Sequence, residues 1–205
     1  MKIAIIGAGN VGSALGQGFL RAGHSVTYGV RDPAQFKGKE AADAAGIPAL
    51  PIAEAVAPAD VVVLSTPGHM AIEVAHSLGD VKGKIIIDTM NAIGKRPEGF
   101  SNTTAAVLAH CNTTDVVKCF NTTGAENMRN PVYEGQPIDM FMAGPSRLAK
   151  DVAANLAREI GFGETYDFGG EDRLDLIEQM ALCWINLAMF QGHGRHLAFK
   201  VLKRD

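Results

Sequence analysis

The residues with the clearest chemical role are three glycines near the start of the chain, spaced as Gly-x-Gly-x-x-Gly. Gly7, Gly9 and Gly12 follow the β-branched run Lys2–Ile6 and open a segment with helical apolar spacing, Ser13–Ala22. In that context the first glycine permits a tight turn, the second lets the backbone approach a pyrophosphate, and the third allows close helix–strand packing. The helix N-terminus offers free N–H groups to phosphates. The pattern predicts a dinucleotide site; glycines that serve only a turn are the alternative.

The end of the second predicted strand bears on which dinucleotide is bound. An NAD site usually has an acidic residue there for the ribose 2′-hydroxyl. Here Val30 takes that place and Arg31 follows, a permanent cation whose planar fork suits phosphate. Asp32 and Pro33 are typical of a helix N-cap and first helical residue, and that helix would run to about Ala45. We therefore predict NADP, with Arg31 as the only nearby cation for the 2′-phosphate. Asp32 holding the ribose of NAD is the alternative.

Three polar loops follow later predicted strands: Ser65–His69, Asp88–Asn91 and Asn121–Gly124. Ligands of open parallel sheets sit outside the carboxyl ends of the strands, so these loops are predicted to face the ligand. His69 is the titratable base among them and could donate a proton or contact a ligand; a solvated histidine at a helix start is the alternative. Asp88 is predicted to cap a turn and to take no part in chemistry.

Metal and nucleophile chemistry are not predicted. His193 and His196 are three residues apart without a carboxylate at helical spacing, and the sequence has no GxSxG motif. Gly192 and Gly194, on either side of His193, interrupt an apolar terminal segment. Helix interiors rarely hold two glycines so close together. The two glycines indicate either a kink that approaches a flat ligand or close helix packing across a dimer.

Strands that alternate with helices must position these residues. Such alternation predicts an α/β fold, a Rossmann-type doubly wound parallel sheet. We interpret residues 1–170 as one dinucleotide-binding domain and residues 171–205 as a C-terminal helical segment. Apolar residues wrap more than one face of that segment, so it is predicted to pack on a second subunit or on its own sheet. The predicted strands are Lys2–Ile6, Ser25–Val30, Asp60–Ser65, Lys84–Asp88, Asp115–Phe120, Asp139–Ala143 and Thr165–Phe168. The predicted later helices are His69–Leu78, Thr103–His110 and Ser146–Ile160.

Composition limits the function classes. The 205 residues are 47 % hydrophobic and 20 % charged, which predicts a packed core. The formal net charge is −3 without a basic cluster, so neither nucleic acid nor a membrane surface is a predicted partner. No apolar run approaches the roughly 18 residues of a membrane span. Three cysteines without a CxxC pair and no signal segment predict a reducing, cytoplasmic location.

Four stretches of the sequence resemble a known family. They are IAIIGAGNVGSALGQGFLRAGHSVTYGVRDP at the start, VVVLSTP, VVKCFNTTGAENMRNP, and the tail LIEQMALCWINLAMFQGHGRHLAFKVL. Together they resemble the NADPH-dependent coenzyme F-420 reductases, over nearly the whole chain. The stretch VVKCFNT is also similar to the cytoplasmic NADPH domain of the six-transmembrane metalloreductases.

The resemblance implies a homodimer, joined through the C-terminal helix, that binds NADP(H). The implied phosphate contacts are Ala8, Gly9, Asn10 and Val11, beside Gly7 and Gly12. The implied 2′-phosphate contacts are Val30 and Arg31, although the family often has a serine at the former position and further basic residues at Asp32. Thr66 and Pro67 would approach the nicotinamide ribose, and Thr122, Thr123 and Ala125 the nicotinamide. Ser65 and Asn91, from the polar loops, complete the predicted cofactor set.

The resemblance also implies hydride transfer to a deazaflavin, coenzyme F-420, as the small-molecule acceptor. Such transfer needs the two rings roughly 3–3.5 Å apart in a dry site and little acid–base machinery. The loop from Thr66 to His69 and the segment from Gly192 through His193 to Gly194 would cover the acceptor. Its acidic tail could meet Lys95, Arg96, Arg129 or Arg195, although each is also an ordinary surface charge. The alternatives are an NADPH reductase of an imine, ketone or metal chelate, and a non-enzymatic NADP sensor.

Overall fold

The computed structural model describes residues 1–204, so only Asp205 lies outside the described residues. One eight-stranded sheet forms the middle layer, with helices on both faces. Its strands are β1 (Lys2–Ile6), β2 (Ser25–Val30), β3 (Ala49–Pro51), β4 (Val61–Leu64), β5 (Ile85–Asp88), β6 (Val116–Cys119), β9 (Met140–Ala143) and β10 (Thr165–Asp167). A separate two-stranded hairpin pairs β7 (Val132–Tyr133) with β8 (Gln136–Pro137).

The sheet has the order β10-β9-β6-β5-β4-β1-β2-β3. The six strands from β3 to β6 are parallel, and the chain reverses its direction of winding between β1 and β4. The predicted Rossmann-type fold is therefore confirmed. The prediction of an entirely parallel sheet is wrong for β9, which runs antiparallel to β6, although β10 is parallel to β9. Apolar runs such as Val61–Leu64 encode burial on both faces but not strand direction.

Residues 1–204 contain eight α-helices, of which seven lie between strands and the eighth follows the last strand. They are α1 (Asn10–Arg21), α2 (Lys39–Ala45), α3 (Ile52–Val56), α4 (Ala71–Ser77), α5 (Thr103–His110), α6 (Ala125–Arg129), α7 (Arg147–Glu159) and α8 (Leu174–Ile185). Short 3₁₀ turns, Gly68–Met70 and Glu171–Arg173, precede α4 and α8. The sequence did not predict β3, α3, α6 or the hairpin, since elements of two to five residues carry too little periodicity.

The segment after β2 differs from its prediction. No helix starts at Asp32 and Pro33; α2 begins only at Lys39. Asp32 Oδ1 instead accepts the Ala34 N–H at 2.9 Å within a turn. Gly38 ends these turns with φ of +92°, and a Cβ on it would lie 2.0 Å from the Ala8 carbonyl oxygen. The backbone after β2 therefore folds against the glycine-rich loop before a helix can form.

The C-terminal segment packs against the sheet with one face. Leu174 and Ile177 of α8 form a core with Phe141 and Ala143 of β9. A π-helical stretch, Asn186–Phe190, continues α8 and ends it. Residues 191–204 have no regular secondary structure. None of the helices within residues 1–204 has the length and apolar character to cross a membrane.

Candidate functional site

A cavity of about 1140 Å³ opens at the carboxyl edge of the parallel strands. The loops that follow β1, β2, β4 and β5 form its walls, on both sides of the point where the winding reverses. Among the predicted site residues, its lining includes Gly7, Ala8, Gly9, Asn10, Val11, Val30, Arg31, Ser65, Thr66, Pro67, His69 and Asn91. Open α/β sheets bind ligands at this position, so the cavity is the candidate site.

The glycine-rich loop is shaped by two close backbone approaches. Gly7 has φ of +96°, and a Cβ there would lie 2.6 Å from the Ser65 carbonyl oxygen. A Cβ on Gly12 would lie 1.9 Å from the Gly7 carbonyl oxygen, so α1 packs directly on the loop. Gly9 differs, because its Cβ would meet nothing within 4 Å. It is the N-cap of α1 and makes no side-chain cap, so the first-turn N–H groups stay available for an anion.

The β2 end of the cavity carries two cations. Arg31 and Lys37 both line it and both are exposed. The prediction that Arg31 is the only nearby cation is therefore wrong. Gly38 packs against the Ala8 carbonyl of the glycine-rich loop, and Lys37, the residue before it, lies at the cavity wall. Five residues of irregular loop separate Arg31 from Lys37, and sequence spacing alone does not indicate that both would reach the cavity.

The loops after β4 and β5 touch each other at the far wall. A Cβ on Gly68 would lie 2.1 Å from the Asn91 carbonyl oxygen, so the two backbones are in contact. Thr66 Oγ1 donates to Met90 Sδ at 3.1 Å. His69 is exposed in the 3₁₀ turn, and Glu73 of α4 also lines the cavity. The site thus has a carboxylate near His69 that the sequence analysis missed.

The loop after β6 is adjacent to this wall but does not line the cavity. Thr122 and Ala125 are buried, and Thr123 Oγ1 accepts from Asn127 Nδ2 at 2.8 Å. The chain leaves β6 through Phe120, which has φ of +63°. For a buried aromatic residue this is a strained conformation of the kind found near functional sites.

The structure does not bring Gly192, His193 and Gly194 to the cavity wall. The His193 N–H donates to the Leu187 carbonyl and the Gly194 N–H to the Ala188 carbonyl, at 3.1 Å each. Gly192 and Gly194 have positive φ. These bonds terminate the π-helical stretch. A Cβ on either glycine would meet nothing within 4 Å, so close helix packing within the chain does not require them.

The next residue, Arg195, attaches this turn to α6. Its Nε donates to Glu126 Oε1 at 2.8 Å, and its guanidinium lies 5.6 Å from the Trp184 ring centroid. Partial burial acts to raise the pKa of Glu126, but the hydrogen bond and charge of Arg195 outweigh it and lower that pKa. The irregular segment after residue 190 is also held at Leu197. Its carbonyl oxygen accepts from the Trp184 indole N–H and from the Asn127 side-chain amide, each at 2.7 Å.

A buried charge cluster beneath the far wall was missed by the sequence analysis. Lys118 of β6 is fully buried and pairs with Asp88 at 3.0 Å and with Glu178 of α8 at 2.8 Å. Asp88 does cap a turn, because its Oδ1 accepts the Met90 N–H at 2.9 Å. It also accepts from both Thr103 and Thr104. A lysine inside the apolar strand VVKC was the available signal, since a buried lysine requires a charged partner.

Cys111 is partly buried and Cys119 is fully buried, whereas Cys183 is exposed. Burial raises the pKa of Cys111 to about 11 and that of Cys119 to about 12, so both thiols stay protonated near neutral pH. Within residues 1–204, no group of three or more His, Cys, Asp or Glu side chains is arranged to hold a metal ion.

The fold and the site define a Rossmann-type dinucleotide-binding protein. Residues 2–92 match the profile of a family described as coenzyme F-420-dependent NADP oxidoreductases. A coenzyme F-420-dependent NADP reductase of Methanothermobacter thermautotrophicus is 31 % identical over 208 aligned residues, 91 % of this chain and 89 % of the relative. The solved structure of a proposed F-420-dependent NADP reductase of Arthrobacter has a TM-score of 0.84 at 25 % identity and covers 99 % of this chain and 100 % of its own. A hypothetical protein of Sinorhizobium meliloti has a TM-score of 0.74 at 27 % identity, with 100 % and 96 % covered.

The chain belongs to the family of coenzyme F-420-dependent NADP reductases. It is therefore an NADP-dependent oxidoreductase, with NADP(H) as its cofactor.

Proposed function

We propose that this protein transfers hydride between NADP(H) and the deazaflavin coenzyme F-420. The observation that carries the proposal is the division of the cavity into two ends. Two cations, Asp32 and the glycine-rich loop form the β2 end, while uncharged hydroxyl and amide groups of Thr66 and Asn91 line the β4–β5 end together with His69 and Glu73. The first end suits the doubly phosphorylated half of NADP, and the second suits two uncharged rings.

The residues at the first end fit NADP. The open space beside Gly9 leaves room for a pyrophosphate at the α1 N-terminus, where a side chain would intrude. Arg31 would hold the 2′-phosphate through its fork, with Lys37 as a second cation. Asp32 is less suited to the ribose of NAD, because its Oδ1 already accepts the Ala34 N–H. Val30, Asn10, Val11 and Ala8 complete this end.

The residues at the second end orient the nicotinamide and exclude water. NADPH, when bound, supplies the hydride. Ser65, Thr66 and Pro67 on one side and Asn91 on the other form the wall that would hold the ring. Asn91 is fixed through Asn121 to the loop of Thr122, Thr123 and Ala125, which completes the enclosure. Since hydride transfer needs alignment more than proton transfer, this wall of neutral groups suits the reaction.

The acceptor would enter beside His69, which is exposed at the mouth of the cavity. Gly192, His193 and Gly194 would reach it only from a second subunit or after a rearrangement of the tail. A panel of acceptors tests the assignment. NADPH should be consumed with oxidised coenzyme F-420 and much more slowly with FMN, a ferric chelate or a cyclic imine. Tight NADPH binding without consumption by any of them would favour a sensor and defeat the proposal.

We further propose a cytoplasmic homodimer that associates through the exposed face of the C-terminal segment. Leu176, Met189 and Phe190 are 52 %, 54 % and 74 % exposed. All three are apolar side chains exposed on α8 or its π-helical extension. Such surfaces are typical of subunit contacts. A second copy would bury these side chains.

A further inference from the structure

We propose that Glu178 and Lys118 are positioning residues that hold the backbone of Met90–Ala92 at the nicotinamide end of the cavity. This inference rests on the proposed function for its catalytic consequence. Neither residue lines the cavity, and both are buried. They act on the wall through the peptide groups on either side of Asn91, which does line it.

Glu178 holds the wall from the C-terminal helix. Its Oε2 accepts the Ala92 N–H at 3.2 Å, and its Oε1 accepts the Thr103 N–H at 3.1 Å. One carboxylate of α8 therefore joins the segment after β5 to the start of α5. The wall and the C-terminal segment are 86 residues apart in sequence, so this contact makes the position of the wall depend on the docking of α8.

Lys118 holds the other side of the same segment. Its Nζ donates to the Met90 carbonyl oxygen at 2.9 Å, to Asp88 at 3.0 Å and to Thr103 Oγ1 at 2.7 Å. Burying an ammonium group without partners would be strongly unfavourable. Here each of these three contacts is to an oxygen that accepts a hydrogen bond. Because Asp88 also receives the Met90 N–H, both polar groups of the Met90 backbone are fixed.

The held segment lies at the end of the cavity opposite Arg31. Arg31 follows β2 and Asn91 follows β5, with β1 and β4 between them. Three strand spacings amount to roughly 14 Å, so the two residues would contact different halves of a dinucleotide. Loosening the segment should therefore impair nicotinamide alignment while adenosine binding is preserved. A general loss of structure would weaken both.

The test compares Glu178→Ala and Glu178→Gln with the matched control Asp175→Ala. Asp175 lies one turn earlier on α8 and accepts from Ser101 Oγ and Asn102 Nδ2, each at 2.8 Å, but makes no bond to residues 90–92. Three readouts are taken on the full chain. They are hydrogen exchange of the peptide spanning residues 89–93, the Kd of adenosine 2′,5′-bisphosphate, and kcat with NADPH and coenzyme F-420.

For Glu178→Ala we expect exchange at residues 89–93 to rise at least about tenfold. We expect kcat to fall by about 10- to 100-fold, the effect of a misplacement near 1 Å, with the bisphosphate Kd within about twofold of the parent. In Glu178→Gln the one amide oxygen would face Lys118 and Thr103, and the NH2 group would face the Ala92 N–H, so exchange at residues 89–93 should rise in this variant as well. Asp175→Ala should match the parent in exchange at residues 89–93.

The inference is overturned if Glu178→Ala leaves exchange at residues 89–93 unchanged, or if the bisphosphate Kd weakens in step with kcat. It is equally overturned if Asp175→Ala reproduces the exchange change. If the parent protein does not reduce coenzyme F-420 at all, the proposed function fails by itself, while exchange at residues 89–93 and the bisphosphate Kd still decide the positioning role.

Discussion

Asn91 and Asn121 exchange two hydrogen bonds across the ends of neighbouring strands β5 and β6. Asn91 Nδ2 donates to the Asn121 carbonyl oxygen at 2.9 Å, and Asn121 Nδ2 donates to Asn91 Oδ1 at 3.0 Å. Asn91 lines the cavity, whereas Asn121 is buried and opens the loop that was predicted to meet the nicotinamide. The pair is thus the direct connection between that loop and the cavity wall.

Asn121→Asp tests the connection with nearly the same shape. The new carboxylate cannot donate and would face Asn91 Oδ1 in a buried place. We expect the free energy of unfolding to fall by about 1–3 kcal/mol, the cost of an unsatisfied buried polar group. Urea unfolding measures it. Asn155→Asp on exposed α7, where the new charge faces Arg158, is the control and should be near neutral. Equal stability of the two variants would show that the pair contributes little.

Arg31→Ala tests the choice of dinucleotide. We expect the Kd of NADPH to rise about 10- to 100-fold, as for lost hydrogen bonds to a charged group worth roughly 1.5–3 kcal/mol, while the Kd of NADH changes little. Lys37→Ala should act in the same direction with a smaller effect, because its ammonium lacks the fork of arginine. Calorimetric titration measures both, with exposed Arg21→Ala as the control. Equal losses for NADPH and NADH would refute the 2′-phosphate assignment.

Gly9→Ala and Gly12→Ala separate ligand approach from helix packing. Gly9 has open space and ordinary φ, so its alanine variant should keep stability within about 0.5 kcal/mol yet lose most NADPH binding. The Cβ of Gly12→Ala would meet the Gly7 carbonyl, so we expect destabilisation of about 1–3 kcal/mol. Thermal unfolding and NADPH titration on both variants measure the difference. Undiminished NADPH binding by Gly9→Ala would place the pyrophosphate elsewhere.

Phe190→Asp tests the proposed dimer. We expect the parent chain to sediment as a dimer at micromolar concentration and the variant as a monomer, since the new charge would be buried in the contact. Leu148→Asp is the matched control: Leu148 is 57 % exposed on α7, away from the C-terminal segment, and its variant should stay dimeric. A monomeric parent chain would contradict the use of α8 as the interface.

Local sequence signals predicted the parts of the site that consecutive residues build. The spacing of Gly7, Gly9 and Gly12 after an apolar strand sets the conformation of the glycine-rich loop through local steric contacts. The ends of the parallel strands place Arg31, Thr66 and Asn91 at one edge of the sheet. Apolar runs also predicted five of the six parallel strands, all except β3.

Contacts between distant segments were not predictable in this way. Lys37 reaches the cavity only because Gly38 packs on Ala8, and Glu178 reaches Lys118 only because α8 docks on β9. The strand direction of β9 escaped prediction because apolar residues look alike in both orientations. The turn at Asp32 mimicked a helix start, since the same side chain–backbone bond serves both structures.

Direct transfer of a labelled hydride tests the central claim most sharply. The parent protein is incubated with NADPH carrying deuterium at C4 of the nicotinamide, together with oxidised coenzyme F-420, and the reduced deazaflavin is examined by mass spectrometry. Hydride transfer within the proposed cavity predicts one deuterium per reduced deazaflavin with one of the two C4-labelled forms of NADPH and none with the other. Reduction without deuterium from either form, or no reduction despite NADPH binding, would contradict it.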